Sequence, residues 1–343
     1  MKQRIFSGIQ PSGDLHLGNY LGAIKQWVGL QDEYESIFCV VDLHAITVSQ
    51  DPAVLRRKTL EIAKTYIASG IDPAKASLFV QSHVPEHAEL CWLLNTIARN
   101  GDLTKMTQFK DKSGFDIEAE GSESVSAQSF KERFNSVGVG LFDYPILMAA
   151  DILLYDTQVV PVGDDQLQHV ELARTLARRF NERFGETFRV PQSRVMEEGA
   201  RIMGLDDPTR KMSKSAESQY NAIALSDDAE TVRRKIKKAV TDSGSEIVYQ
   251  DDKPALKNLI NISTLLSGMP IHDIESKYQG KGYGDFKSDL AETIIAFLTP
   301  FQERIASLSD EETLRILREG AERVRPIATA KLNEAKGKMG FLI

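Results

Sequence analysis

Short apolar runs alternate with helix-period segments through the first half of the chain. Arg4-Ile5-Phe6-Ser7 reads as a first strand, after which Leu17, Tyr20, Leu21, Ile24, Trp27 and Val28 recur at helical spacing. Ser36-Ile37-Phe38-Cys39-Val40-Val41 is continuously apolar after its first residue and rich in strand formers. Such a run fits a strand covered on both faces of a parallel sheet. Asp51-Pro52 reads as an N-cap and first helical position. The helix they open carries Val54, Leu55, Leu60, Ile62, Ala63, Tyr66 and Ile67 and stops at Gly70. Ser77-Leu78-Phe79-Val80 is a further strand, and Val159-Val160-Pro161-Val162 a later one whose proline suggests an end or an edge. This βαβα rhythm predicts an α/β fold, a doubly wound, Rossmann-like parallel sheet with ligands beyond the carboxyl ends of its strands. His16, after the first strand, and Asp42, at the end of the second, belong to that rim.

After Lys211 strand-like runs become scarce. Asp227-x-x-Glu230 and Ser309-x-x-Glu312 are capping-box patterns that open helices. The division expected is a catalytic domain over 1–206 and a signature loop with an α-helical domain over 207–343, whose last helix packs back on the first domain. Residues 113–141, rich in Ser, Gly and Glu with little periodicity, read as an insertion or loop.

Composition narrows the class. With 343 residues, 42% hydrophobic and 27% charged, the chain has room for two domains and an ordinary soluble core. A net charge of −7 argues against a general nucleic-acid coat but leaves room for a local basic patch. Two cysteines without metal-ligand spacing predict a reducing compartment. No apolar run is long enough to span a bilayer and the N-terminus lacks a targeting pattern, so the cytoplasm is expected, with no membrane partner.

Two segments carry the candidate chemistry. Pro11-Ser12-Gly13-Asp14-Leu15-His16-Leu17-Gly18-Asn19 sets a Gly-containing turn, an imidazole and an amide ahead of a helix, which suits an anion. Lys211-Met212-Ser213-Lys214-Ser215 offers two ammonium groups and two hydroxyls, which suits a clamp on a polyphosphate. Between them, Asp151 is the one carboxylate in the apolar stretch from Tyr144 to Tyr155. A buried carboxylate needs partners: Asp151 reads either as a helix-terminal acid or one pointing to water, or as the floor of an apolar pocket, where it would accept a hydrogen bond from a donor such as an indole N–H. Val160 to Gln166 leaves a strand, turns at Gly163 and enters a helix; Asp164 and Asp165 read either as an acidic helix N-terminus or, preferred for their location, as the place where nucleotide-binding sheets hold a ribose or an amino group.

Other patterns carry less. His83-Val84-Pro85-Glu86-His87 spells a zinc-protease string, but Pro85 opposes the helix that chemistry needs and instead starts the next one. Gly280-x-Gly282-x-Gly284 lacks the strand and spacing of a dinucleotide loop. The run Arg233 to Lys238 is the densest cationic segment, readable either as a solvated helix face or as a phosphate contact for RNA.

The paired segments, in this order, resemble the ATP signatures of class I aminoacyl-tRNA synthetases. Together with Phe6 to Gly13, Asp42 to Thr47, Met106 to Lys110, Leu147 to Tyr155, Pro161 to Gln166 and Gly199 to Met203, they make the chain similar to the bacterial-type tryptophanyl-tRNA synthetases. The resemblance implies activation of tryptophan by Mg-ATP to the adenylate, transfer to tRNA(Trp) whose anticodon end is bound by the helical domain of 207–343, and a homodimer. It places His16, Asn19, Lys211 and Lys214 in catalysis. Gln10, Pro11, Ser12, Gly18, Asn19, Gly163, Asp164, Asp165, Ile202, Lys211, Met212, Ser213, Lys214 and Ser215 would line the ATP site. Asp151 would accept the indole N–H, amid Phe6, Gly8, His44, Tyr144, Met148, Val160, Val162 and Gln166. No protein-held metal is implied; Mg²⁺ would ride on the phosphates. Leu43 departs from the Gln that many relatives carry. A tyrosyl-type synthetase and a small nucleotidyltransferase share parts of this pattern. A non-catalytic RNA-binding or amino-acid-sensing paralogue would be expected to lose His16, Asn19, Lys211 or Lys214, all of which are present.

Overall fold

The computed structural model describes residues 2–106, 138–195, 202–213 and 218–343. Strand β1 (Arg4–Ile9) leads to α1 (Leu17–Asn19), which continues through a π-helical turn (Tyr20–Ile24) into α2 (Lys25–Glu33). Next come β2 (Glu35–Val40), α3 (Asp42–Ala45), α4 (Pro52–Ala68) and β3 (Ser77–Val80). A 3-10 turn (Gln81–His83), α5 (Glu86–Asn95) and α6 (Asn100–Leu103) follow. Then α7 (Val139–Leu153), β4 (Val159–Val162), a 3-10 turn (Asp164–Gln166), α8 (Leu167–Phe184) and β5 (Gln192–Val195) complete the sheet region. The helices α9 (Ala229–Lys238), α10 (Pro254–Ser267), α11 (Ile271–Lys277), α12 (Tyr283–Ser307) and α13 (Asp310–Met339) make up the rest.

The five strands are parallel, in the order β3-β2-β1-β4-β5. Alternation along each strand divides the apolar residues between two faces. Phe6, Ile37, Cys39 and Phe79 enter one core with α5, α7 and α8. Ile5, Phe38, Val40, Leu78 and Val80 enter the other with α2 and α4. A third core joins Leu17 and Leu21 to Ile202, Leu205 and Met212 and to the apolar stripes of α9, α10 and α12. The start of the first signature helix is thus buried against the helical region, not against the sheet alone.

Helix α13 crosses the edge of the sheet. Ile316 and Leu317 lie in one sheet core, and Ala321, Val324, Ala328, Leu332 and Ala335 in the other. Between them Gly320 meets β3 so closely that a Cβ would stand 1.9 Å from the Leu78 carbonyl oxygen. The helix thereby covers an edge strand that would otherwise offer unpaired backbone groups.

Several sequence expectations need correction. Pro161 does not mark an edge: β4 lies between β1 and β5. It is tolerated there because registered pairing with β1 stops at Ile5–Val159, and the ladder beyond runs to β5 alone. Strand β5 was not legible, since its residues Gln192–Val195 are exposed and polar in pattern. The cap of α9 is Asp228, whose side chain accepts the Thr231 N–H, and not Asp227. Asp227 instead accepts the Ala224 N–H and an ammonium hydrogen from Lys235. Ser309 caps α13 as its pattern indicates, accepting the Glu312 N–H. Of the stretch 113–141, residues 113–137 lie outside the described residues, and 139–141 open α7.

Candidate active site

The strand order reverses direction at β1, with β2 and β3 on one side and β4 and β5 on the other. The crevice beyond the carboxyl ends of β1 and β4 is therefore the switch point where such sheets bind ligands. Gln10 to Asn19 leave β1 on one side of it, and Gly163 to Gln166 leave β4 on the other.

His16 is the N-cap of α1, and its N–H donates to the Asn19 Oδ1 at 3.0 Å. Residues 202–225 then fold against this turn. The Leu17 N–H donates to the Ile223 carbonyl at 2.8 Å, and the Leu225 N–H to the Leu15 carbonyl at 2.9 Å. Gly18 allows the close approach: a Cβ there would lie 3.0 Å from His16 Nδ1 and 3.4 Å from Met212 Cβ. Met212 is held in turn by its N–H to the Ile202 carbonyl at 3.0 Å. The Ser213 carbonyl accepts from Asn221 Nδ2 at 2.9 Å. The two signatures are thus in contact through described residues. Lys214 and Ser215 lie outside the described residues.

His16 is buried, and its Nδ1 has no hydrogen-bond partner among the described residues. Burial, reinforced by the Lys211 ammonium, pushes its imidazole down to about 4. It is neutral at physiological pH. Ile202 and Met212, expected on the adenine side, are buried, and the Met212 N–H and Ile202 carbonyl are paired with each other. On the opposite bank Gly163, Asp164 and Asp165 are exposed. A Cβ on Gly163 would come 2.9 Å from Asp165 Oδ1, which explains a glycine in this turn. Gln166 donates from Nε2 to Asp165 Oδ2 at 2.8 Å.

Asp151 sits on α7, 1% exposed. Its Oδ1 accepts from Gln81 Nε2 at 2.6 Å and lies 2.6 Å from His87 Nδ1, while its Oδ2 lies 2.9 Å from His44 Nε2. Burial pushes the carboxyl up, but the hydrogen bonds from His44 and His87 outweigh it and hold the group well below the usual carboxylate range. Behind it the rings of Phe6, Phe79, His87 and Tyr155 close the pocket, with Phe6 stacked on Tyr155 at 5.8 Å. In front, Tyr144 meets His44 edge-on at 6.2 Å and hydrogen-bonds His169 Nε2 at 3.1 Å. Val160 and Val162 are buried on β4, and Met148 is half-buried on α7. Gly8, on β1, has no room for a side chain, because a Cβ would lie 2.8 Å from Val41 Cγ1. One bond joins the two halves of the site: Gln10 Nε2 donates to the His44 carbonyl at 2.8 Å. Pro11 is buried beside it, and the exposed Ser12 donates its N–H to the Gln10 carbonyl.

Sequence reasoning missed Gln81, His87 and Tyr155 as pocket residues. Tyr155 follows Asp151 by four positions, a spacing that was readable. His87 was weighed only as a zinc ligand, and nothing local tied it to Asp151.

This architecture, a parallel sheet with a capped imidazole turn and a lysine-bearing segment meeting at its switch point, is that of a nucleotide-dependent synthetase. The family described as class I tRNA synthetases for tryptophan and tyrosine matches residues 1–299, and the chain belongs to it. Within that family its relatives include the tryptophan–tRNA ligase of Caldanaerobacter subterraneus subsp. tengcongensis, 53% identical over 99% of both chains. That of Helicobacter pylori is 50% identical, again over 99% of both. Among solved structures, tryptophanyl-tRNA synthetase from Mycoplasma pneumoniae superposes with a TM-score of 0.88 at 36% identity, covering 100% of this chain and 99% of the other. The Campylobacter jejuni enzyme, solved with ADP and tryptophan, gives a TM-score of 0.79 at 37% identity, covering 99% of this chain and 100% of the other.

Proposed function

We propose that this chain is a tryptophan–tRNA ligase. It activates tryptophan with Mg-ATP to tryptophanyl-adenylate and pyrophosphate, then transfers the tryptophanyl group to the 3′ end of tRNA(Trp). The observation that carries the choice of amino acid is Asp151, a carboxylate kept ionised inside an aromatic pocket beside the crevice. Two donors occupy its Oδ1 and one its Oδ2, so Oδ2 retains a lone pair for an indole N–H. A phenylalanine side chain has no such donor, and burying this acceptor against it would be penalised.

The reaction needs no covalent enzyme chemistry. The substrate carboxylate attacks the α-phosphorus, and the site supplies orientation and charge stabilisation. His16, neutral in the folded chain, acts as a hydrogen-bond donor to phosphate oxygen and not as a cation. Lys211 and Lys214 neutralise the departing pyrophosphate. Gly163, Asp164 and Asp165 bind the ribose side, and Ile202 and Met212 the adenine side. Mg²⁺ would enter with the nucleotide, riding on its phosphates.

The helical region is the part we assign to tRNA. The basic run serves this poorly as a whole. Arg233 pairs with Glu292 at 2.7 Å, and Lys235 with Asp227 at 2.6 Å. Lys235 also donates to the Ala222 carbonyl, two residues from the bridge between Ala224 and His16, so α9 lies beside the signature turn. A homodimer is supported by exposed apolar side chains on the sheet region, Trp92 at 69%, Val139 at 73% and Ile46 at 58%. Among the described residues no helix is long and apolar enough to cross a membrane.

The test is pyrophosphate exchange with each amino acid in turn. Exchange with tryptophan and not with tyrosine or phenylalanine is expected. Exchange with tyrosine alone would move the protein to the other branch of its family.

A further inference from the structure

The zinc-protease string set aside in the sequence has a different use. His87 is fully buried at the first turn of α5, and both ring nitrogens are engaged. Nδ1 lies 2.6 Å from Asp151 Oδ1, and Nε2 lies 2.7 Å from the Tyr155 hydroxyl. Burial pushes the Tyr155 phenol well above its ordinary range, so it keeps its proton and donates to Nε2. That leaves the proton of a neutral imidazole on Nδ1, aimed at the carboxylate. Gln81 works in parallel. Its Nε2 donates to the same Oδ1, and its Oε1 accepts the Leu43 N–H at 3.1 Å, which fixes the amide's orientation. With Oδ1 saturated from behind, the remaining capacity of the carboxylate is on Oδ2, the oxygen shared with His44.

We propose that His87, held by Tyr155, is a positioning residue that orients Asp151 so that Oδ2 presents its open lone pair to the amino-acid side chain, and thereby sets selectivity for an indole N–H. This rests on Asp151 being the indole acceptor. The chain Tyr155–His87–Asp151 resembles an orienting relay in form, but no proton moves along it; its effect is geometric and electrostatic.

Loss of the Nδ1 donor should do two things. It frees the carboxylate to rotate, and it removes one of the groups that oppose the cost of burial. The titratable groups facing Asp151 are His44 from α3, His87 and Cys91 from α5, Cys39 from β2 and Tyr155 beyond α7. Both thiols are pushed up by burial, so with the His87 donor lost the hydrogen bonds of Gln81 and His44 are left to oppose the burial of the carboxylate.

The experiment compares His87→Ala, His87→Asn and Tyr155→Phe by pyrophosphate exchange, with tryptophan and phenylalanine, from mildly acidic to neutral pH. An asparagine places an N–H near the position of Nδ1. His87→Ala is expected to raise the tryptophan KM by roughly ten- to a hundredfold, the range of a lost hydrogen bond to a charged group, with the ATP KM unchanged. Its tryptophan KM should rise further as pH falls, where the unaltered enzyme is flat. His87→Asn should recover most of the loss, and Tyr155→Phe should show a smaller rise. Should His87→Ala fail to fold, the other two variants carry the test through their KM values and pH profiles. Equal KM values in His87→Asn and Tyr155→Phe to those of the unaltered enzyme, with the alanine variant folded and also unchanged, would overturn the role of His87. Asp151→Ala separates the two claims, because an asparagine carbonyl would still accept the indole N–H. If it retains full discrimination against phenylalanine, Asp151 is not the acceptor; if it loses discrimination while the His87 variants do not, only the positioning role falls.

Discussion

The Asp151 pocket and the His16 crevice meet at the loop after β1, yet they are built on opposite principles. In the pocket the key group is held by three donors before any ligand arrives, and aromatic rings exclude water around it. In the crevice His16 Nδ1 has no partner among the described residues, and Gly163, Asp164 and Asp165 stand exposed. Selection between similar amino acids requires a rigid acceptor in a dry site, where an unmade hydrogen bond is costly. Phosphoryl chemistry redistributes charge as pyrophosphate departs, so its groups are useful when they meet the substrate late, in the transition state.

That contrast can be broken in the kinetics. The largest effect is expected from the lysines. Lys211→Ala with Lys214→Ala should lower kcat for pyrophosphate exchange by roughly a thousandfold, with little change in either KM, because the charge they meet appears only as pyrophosphate leaves. A rise in the KM for ATP with kcat intact would make them ground-state binders and remove the distinction. Asp151→Ala comes next. It should cut kcat/KM for tryptophan by about a hundredfold and leave the KM for ATP alone. Equal losses for both substrates would mean that the pocket and crevice act as one unit.

Gly18→Ala tests how tightly the two signatures are joined. The added methyl would press on His16 Nδ1 and Met212 together, and overpacking of this kind costs about 1 kcal/mol or more. A lowered melting temperature with a raised KM for ATP, and an unchanged KM for tryptophan, is the expected pattern in thermal melts and exchange kinetics. The effect that vanishes at neutral pH is on pH dependence. The His16 imidazole in the folded chain sits at about 4 against 6.5 when free. The unfolded chain therefore takes up the proton first, so this group costs no stability above pH 6.5 and progressively destabilises the fold as pH falls from 6.5 toward 4. His16→Asn should flatten that part of a stability-versus-pH curve measured by denaturant unfolding; an unchanged slope would show that His16 is not the group titrating there.

Much of the scaffold was determined by the sequence alone. Strands over 77–80 and 159–162, the helix opened by Asp51-Pro52 and the helix capped by Ser309 all follow from periodicity and cap chemistry, which act over one or two turns of chain. The position of His16 at a helix start and of Gly163 at a strand exit was legible for the same reason. Strand β5 was not, because an exposed polar strand has no apolar alternation to read. Nor was the interior place of β4, since a proline announces an edge unless the neighbouring ladder ends early. Tertiary structure alone decided how the pocket is hydrogen-bonded. Asp151 meets His87 across 64 positions of chain and His44 across 107, and Gly320 meets Leu78 because a long helix docks on a sheet edge. Local patterns state which face of an element is buried; which side chains then share a hydrogen bond depends on how those faces are stacked, and that is fixed only when the whole core closes.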